Sequence, residues 1–179
     1  MTAAAAVLVP VDDTATRAAA ESLIREYLAF IADTARESYH LTFDVEAMIA
    51  SDLGDAGKFY PPVGRFYVVQ HGDGYIGVGC LKRLTSDVAE IQRMYVQPSA
   101  RGLGAGRLLV EQLLSDARVM QLGTVRLESL RALSAAHTLY RSVGFREIEP
   151  YAENSMRDYQ SAGALDVYRS SAIFMELAL

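Results

Sequence analysis

The spacing of apolar and polar positions changes period several times along the chain, and each change marks an element. Residues 7–11 form an apolar run of strand length. Asp12, Asp13 and Thr14 follow as candidate caps, and Leu23, Ile24, Tyr27, Leu28 and Ile31 recur at helical spacing, which predicts a helix to about Ile31 with one buried stripe. Residues 43–49 predict a second helix capped by Asp44. Residues 51–64 hold Gly54, Gly57, Pro61, Pro62 and Gly64, the chemistry of a loop that can border a substrate cleft. Two strands, 65–71 and 75–83, are joined through Gly72-Asp73-Gly74, a strong hairpin signal, and Thr85-Ser86-Asp87 turns the chain into a third, 88–96. Leu109, Leu113, Ala117 and Met120 then share a helical face, with Gly123 placed to end that helix before a strand at 124–129. Ser134 is the expected cap of the next helix. Residues 146–149 and 171–177 read as strands separated by a long polar section, 151–169. An antiparallel meander followed by a helical crossover to a further strand predicts an α/β or α+β mixed sheet with helices on its faces.

The most specific chemistry lies between the third meander strand and the helix that follows it. Val96-Gln97-Pro98-Ser99-Ala100-Arg101-Gly102-Leu103-Gly104-Ala105-Gly106-Arg107-Leu108-Leu109 turns an apolar strand into an apolar helix through a glycine-rich loop with an arginine at each end. A helix N-terminus presents unpaired N–H groups and about half a positive charge, so such a loop can cradle a phosphate or serve only as a tight turn. A dinucleotide fingerprint starting at Gly102 would need a third glycine where Arg107 stands, and a triphosphate loop would need Gly-Lys-Ser or Gly-Lys-Thr, which the chain lacks.

What stands is Arg-x-x-Gly-x-Gly, from Arg101 through Gly104 to Gly106, and it resembles the acyl-CoA pyrophosphate loop of the GCN5-related N-acetyltransferase (GNAT) superfamily. Residues 89–96 are similar to the family's fourth strand, residues 124–129 to its fifth, and residues 135–145 to its following helix with the Tyr-x-x-x-Gly-Phe ending, so the ordered resemblance covers residues 66–149. It implies a mixed, mostly antiparallel sheet of about seven strands flanked by helices, splayed between the fourth and fifth strands. It also implies that Arg101, Gly102, Leu103, Gly104, Ala105, Gly106 and Arg107 receive the pyrophosphate of acetyl-CoA, and that the backbone of Met94, Tyr95 and Val96 meets the pantetheine arm. Many relatives carry an asparagine after the fifth strand. This chain has none, and Ser134 is the suggested replacement.

By the same resemblance Tyr140 stands where a tyrosine hydroxyl approaches the CoA sulfur, and Glu90 where a strand-four carboxylate takes the amine proton. A half-buried packing tyrosine is the alternative for Tyr140. For Glu90 the alternatives are a solvated carboxylate or a partner of Arg93, with solvent or a tail residue as the proton acceptor. Glu90 and Gln92 share one strand face and Ile91 and Arg93 the other, so a bulge would reverse which side chains meet the cleft.

Composition narrows the remaining classes. A chain of 179 residues suits one domain, spanning 1–179, that buries about 70% of the surface its unfolded form exposes. A net charge of −5 without a basic stripe argues against nucleic-acid binding. Cys80, the only cysteine, lies in an apolar run and reads as a buried thiol, which excludes a disulfide framework or cysteine-rich zinc site. His40, His71 and His137 have no metal-ligand spacing, and no metal is expected. His137 reads as a surface helix residue, with lining of the CoA channel the alternative. Residues 1–10 are apolar but too short to span a membrane and lack the basic start of a signal peptide, so no membrane partner and a cytoplasmic location are expected.

These observations point to an acetyl-CoA-dependent N-acetyltransferase acting on a primary amine of a small molecule, an amino acid or a protein. The alternative is a non-catalytic acyl-CoA-binding regulatory module. Asp52, Asp55, Glu149, Glu153 and Asp158 would suit a cationic acceptor if several faced the cleft. A homodimer is possible through pairing of residues 173–177, should that strand lie at an edge.

Overall fold

The computed structural model describes residues 5–152 and 162–179. Glu153 and Asp158, two of the candidate acids, lie outside the described residues. The order of elements is β1 (Val7–Pro10), α1 (Thr14–Tyr39), α2 (Val45–Gly54), β2 (Gly64–His71), β3 (Gly74–Arg83), β4 (Val88–Val96), α3 (Ala105–Val119), β5 (Thr124–Leu130), α4 (Ser134–Ser142), β6 (Arg146–Ile148), α5 (Ala162–Ser171) and β7 (Ala172–Ala178). The strands form one sheet in the order β1-β2-β3-β4-β5-β7-β6. All pairs are antiparallel except β4 with β5. This is the mixed, mostly antiparallel sheet expected from the sequence.

Asp13 starts α1 through a capping box: its carboxylate accepts from the Thr16 amide at 2.8 Å, while the Asp13 amide donates to the Thr16 hydroxyl. The helix runs past Ile31, because the buried stripe continues through Ala35, and it ends at His40 in the left-handed conformation. α2 begins as expected, with the Asp44 side chain accepting from the Ala47 amide at 2.9 Å. The β2–β3 hairpin closes on Gly72 and Asp73, with His71 opposite Gly74.

Four local expectations need correction. Helix α3 ends at Val119 with Gln121 supplying the left-handed turn, so Gly123 is not its cap. Gly123 instead allows the close approach of Asp87, whose carboxylate oxygen would lie 2.7 Å from an added Cβ and accepts from the Gly123 amide. Ser134 is the first residue of α4 rather than its cap, a position held by Leu133 without a side-chain hydrogen bond. The section 151–169 contains most of α5, a helix the sequence reading did not expect there. Finally, β7 lies between β5 and β6, which pairs with Phe174 to Glu176, so it is an inner strand and not the edge that pairing with a second copy would need.

The sheet divides the core into two faces. One holds α1, α2 and α5 against Val78, Cys80, Tyr95 and Phe174, and the other holds α3 and α4 against Leu81, Ile91, Leu127 and Met175. No described helix is long and apolar enough to cross a membrane.

Candidate active site

Strands β4 and β5 pair only from Val88 opposite Thr124 to Glu90 opposite Arg126. Beyond Glu90 they diverge, and among the described residues no strand pairs with the β5-facing edge of β4. The divergence begins where β4 carries a bulge: Cys80 faces Gln92 and Val78 faces Tyr95, so Arg93 and Met94 together oppose Gly79. Arg93 takes a positive φ of 52°, unusual for a non-glycine residue, and the bulge bends the strand away from its parallel neighbour.

A cleft of about 590 Å³ opens at this divergence. Met94, Tyr95 and Val96 line one wall, and Ser134 and Tyr140 line the opposite one. Arg101, Gly102, Gly104, Ala105, Gly106 and Arg107 line its end, so the loop and strand residues singled out in the sequence converge on one cavity. Leu103 does not line it, and its side chain is half exposed. Sequence reasoning missed the contribution of Tyr27 and Phe30 from α1, which close the cleft from the other face.

The loop geometry is a backbone matter. Gly102 and Gly104 have φ of 87° and 82°, a region that side chains strain to occupy, and Gly104 is the N-cap of α3 with no side-chain capping bond. The first amides of α3 therefore retain donor capacity beside the cleft, and no acidic residue occupies the first turn. The Arg101 guanidinium lies 5.7 Å over the Phe30 ring. Arg107 reaches outward to the Ser142 hydroxyl at 2.7 Å and to Glu111 at 3.2 Å.

Tyr140 is buried on the α3/α4 face, its ring packed edge-on against Phe145. Burial pushes its hydroxyl well above the ordinary tyrosine range, so the group is a protonated donor at neutral pH. Glu90 lies on the opposite face and does not line the cleft. It is neither solvated nor paired with Arg93: its side chain is fully buried, the Gln92 amide donates to one carboxylate oxygen at 2.5 Å and the Tyr151 hydroxyl donates to the other at 2.6 Å. Burial raises the Glu90 carboxyl above its ordinary value, against the opposing pull of those hydrogen bonds. The Arg126 guanidinium stands 5.0 Å over the Tyr151 ring.

A second carboxylate on this face had no place in the sequence reading. Glu128 follows Arg126 by two residues on β5 and so shares its face. It acts with burial to push the Tyr168 hydroxyl up, and it contributes in the same direction at Tyr151 and Tyr27. The signal was available: charged residues at 126 and 128 alternate with apolar Val125 and Leu127 along one strand. Asp52, which would suit a cationic acceptor if it faced the cleft, does not line it: it is 2% exposed and bound to Arg93. His137 is also buried, not a surface residue, with its Nε2 3.1 Å from the Ser129 hydroxyl; burial lowers its pKa. Among the described residues, no three His, Cys, Asp or Glu side chains gather in a manner suited to a metal.

Comparison with known proteins bears on this arrangement. The model of the acetyltransferase (GNAT) domain family matches residues 62–147. The uncharacterised N-acetyltransferase YjgM of Escherichia coli K12 is 33% identical over 116 residues, covering 62% of this chain and 70% of the relative. The chain belongs to the GNAT superfamily. An uncharacterised N-acetyltransferase of Dictyostelium discoideum is 39% identical over 67 residues, and there the chain spans only 31% of the relative's length. Among solved GNAT-like structures, yncA from Salmonella typhimurium, determined with acetyl-CoA, is similar with a TM-score of 0.60 at 16% identity, covering 98% of this chain and 94% of that one. At that identity the likeness concerns the fold. The mixed, mostly antiparallel seven-stranded sheet with its flanking helices is thus the GNAT fold in this chain.

Proposed function

We propose that the protein is an acetyl-CoA-dependent N-acetyltransferase that passes the acetyl group directly to a primary amine. The observation that carries this reading is the convergence, in one cleft, of a glycine-shaped helix N-terminus, a strand edge without a partner strand and a buried tyrosine hydroxyl. The structure of the relative with acetyl-CoA supports the same reading. The α3 amides and Arg101 would receive the pyrophosphate, with Arg107 at the outer rim. The backbone of Met94, Tyr95 and Val96 would hold the pantetheine arm, and Ser134 would contact it from α4.

In the transfer, the amine nitrogen forms a bond to the acetyl carbon as the carbon–sulfur bond breaks, and the departing thiolate takes the Tyr140 proton. The amine proton needs a sink on the opposite face. Glu90 serves through Tyr151: the amine proton goes to the Tyr151 oxygen while the Tyr151 proton passes to the Glu90 carboxylate over the 2.6 Å hydrogen bond. The acceptor would enter from the α1/α5 face, where Glu90 and Glu128 favour an ammonium group, which sheds its first proton to solvent before it attacks as the neutral amine.

Thermal unfolding with and without excess acetyl-CoA, with ATP and NAD as controls, tests the reading first. At about a hundred times its dissociation constant a ligand adds about 2.7 kcal/mol, or roughly 5–10 °C in a domain of this size. A shift with acetyl-CoA alone is expected and leads to a screen of amines. No shift in folded protein would make the loop a turn and end the transferase reading.

A further inference from the structure

The β4 bulge is held from outside the cleft. Arg93 adopts a left-handed backbone without being glycine, which costs free energy that another contact must offset. Its side chain leaves the strand toward α2 and is 5% exposed; its Nε donates to Asp52 Oδ2 at 2.5 Å and its Nη2 to Asp52 Oδ1 at 3.2 Å, a two-point fork. The Asp52 side chain is 1% exposed and also receives Lys58 at 3.4 Å. It stands in the last part of α2, a helix anchored by buried Met48 and Ile49 and containing no cleft-lining residue. Buried ion pairs add little net stability relative to a well-packed apolar pair, so the main product of this one is a fixed geometry. Met94, the next residue of the bulge, is where the free edge of β4 enters the cleft.

We propose that Asp52 is a positioning residue: through the two-point contact with Arg93 it sets the course of the free edge at Met94, Tyr95 and Val96, and so the grip on the acyl-pantetheine end of the donor. The inference rests on the reading of the cleft as an acyl-CoA site. It separates two parts of that site. The nucleotide end depends on the loop and α3, which Asp52 does not touch, whereas the thioester end depends on the bulge.

Calorimetric titration of Asp52→Asn with acetyl-CoA and, separately, with 3′-phospho-ADP tests this. The variant keeps the wild-type affinity for 3′-phospho-ADP, while its affinity for acetyl-CoA falls about ten-fold or more, toward that of the nucleotide fragment. Asp52→Glu restores part of the acetyl-CoA affinity. If Asp52→Asn fails to fold, the double variant Asp52→Leu with Arg93→Met removes both charges without stranding either, and the same selective loss is expected. Undiminished acetyl-CoA binding by a folded variant overturns the role of Asp52, as does a proportional loss of both ligands, which is the mark of general destabilisation. Wild-type protein that binds acetyl-CoA no better than 3′-phospho-ADP would instead remove the acyl-CoA reading itself, and this inference with it.

Discussion

The two sides of the split between β4 and β5 are built in different ways. The cradle side comes from one continuous stretch, Met94 to Arg107, and its working parts are backbone amides and left-handed glycines. The far side is assembled from side chains on β4, β5, α1, α5 and the segment after β6, with Tyr151 reaching a carboxylate 61 residues away. The loop and the start of α3, from Arg101 to Arg107, are therefore specified by local conformation, whereas the strand edge before them follows the bulge at Arg93. The far side exists only when the whole sheet and its helices are in place, and its charged groups are held at the expense of burial. A binding function can be kept by the first alone, but acyl transfer to an amine needs both.

The largest effect expected from separating the two sides comes at the residue between them. Tyr140→Phe keeps the buried ring and removes only the proton, so kcat falls about 10²–10⁴-fold while acetyl-CoA affinity stays near wild type. Steady-state kinetics on an accepted amine beside calorimetry reads this. Unchanged turnover would reduce Tyr140 to a packing residue.

On the cradle side, Gly104→Ala forces a side chain into φ of 82°, at a strain of about 1–2 kcal/mol, and acetyl-CoA binding weakens by roughly ten-fold. The far side is untouched, and the strain by itself lowers the ligand-free unfolding temperature by roughly 2–8 °C. A variant that bound as well as wild type would show that the loop's backbone does not contribute to the grip.

The opposite pattern is expected on the far side. Tyr151→Phe leaves the buried Glu90 carboxylate short of one donor, which costs about 1–3 kcal/mol by denaturant unfolding. Acetyl-CoA binding survives. If Tyr151 also relays the amine proton, Tyr151→Phe and Glu90→Gln depress kcat to similar extents and the double variant loses no more.

The smallest effect lies in pH dependence. The folded state raises the Glu90 pKa above its ordinary value of 4.5, so the folded protein holds that proton more tightly than the unfolded chain. The associated stability is fully present below 4.5 and is lost as pH rises through the folded value. Glu90→Gln stays neutral throughout. Its unfolding temperature relative to wild type should therefore climb from about pH 4.5 upward and level off once Glu90 is ionised in the folded wild type. A pH-independent difference would mean that the donors from Gln92 and Tyr151 balance burial, and a difference that falls with rising pH that they outweigh it.

Much of the fold was legible because its signals are short-range. Asp13 and Asp44 cap the helices they precede, and the Gly72–Asp73 turn fixes the register of β2 against β3. Expectations failed where a distant partner intervened. Gly123 reads locally as a helix end, but the carboxylate of Asp87 decides its place, and α1 outruns Ile31 because Ala35 finds a core to enter. His137 reads as a surface residue and Asp52 as an acid for a cationic acceptor, since their types favour water, yet Ser129 and Arg93 supply buried partners that no spacing announces.

By itself the amino-acid sequence determined the cradle: strand, left-handed glycines and helix start follow one another, and each depends on dihedral preferences and hydrogen bonds within a few residues. The tertiary structure alone decided that Glu90 is sealed beneath Tyr151, that Glu128 joins it, and that Asp52 steadies the bulge of β4. Those contacts join residues far apart in the chain, and their free energies come from burial and charge pairing, which have no value until the elements that carry them have packed.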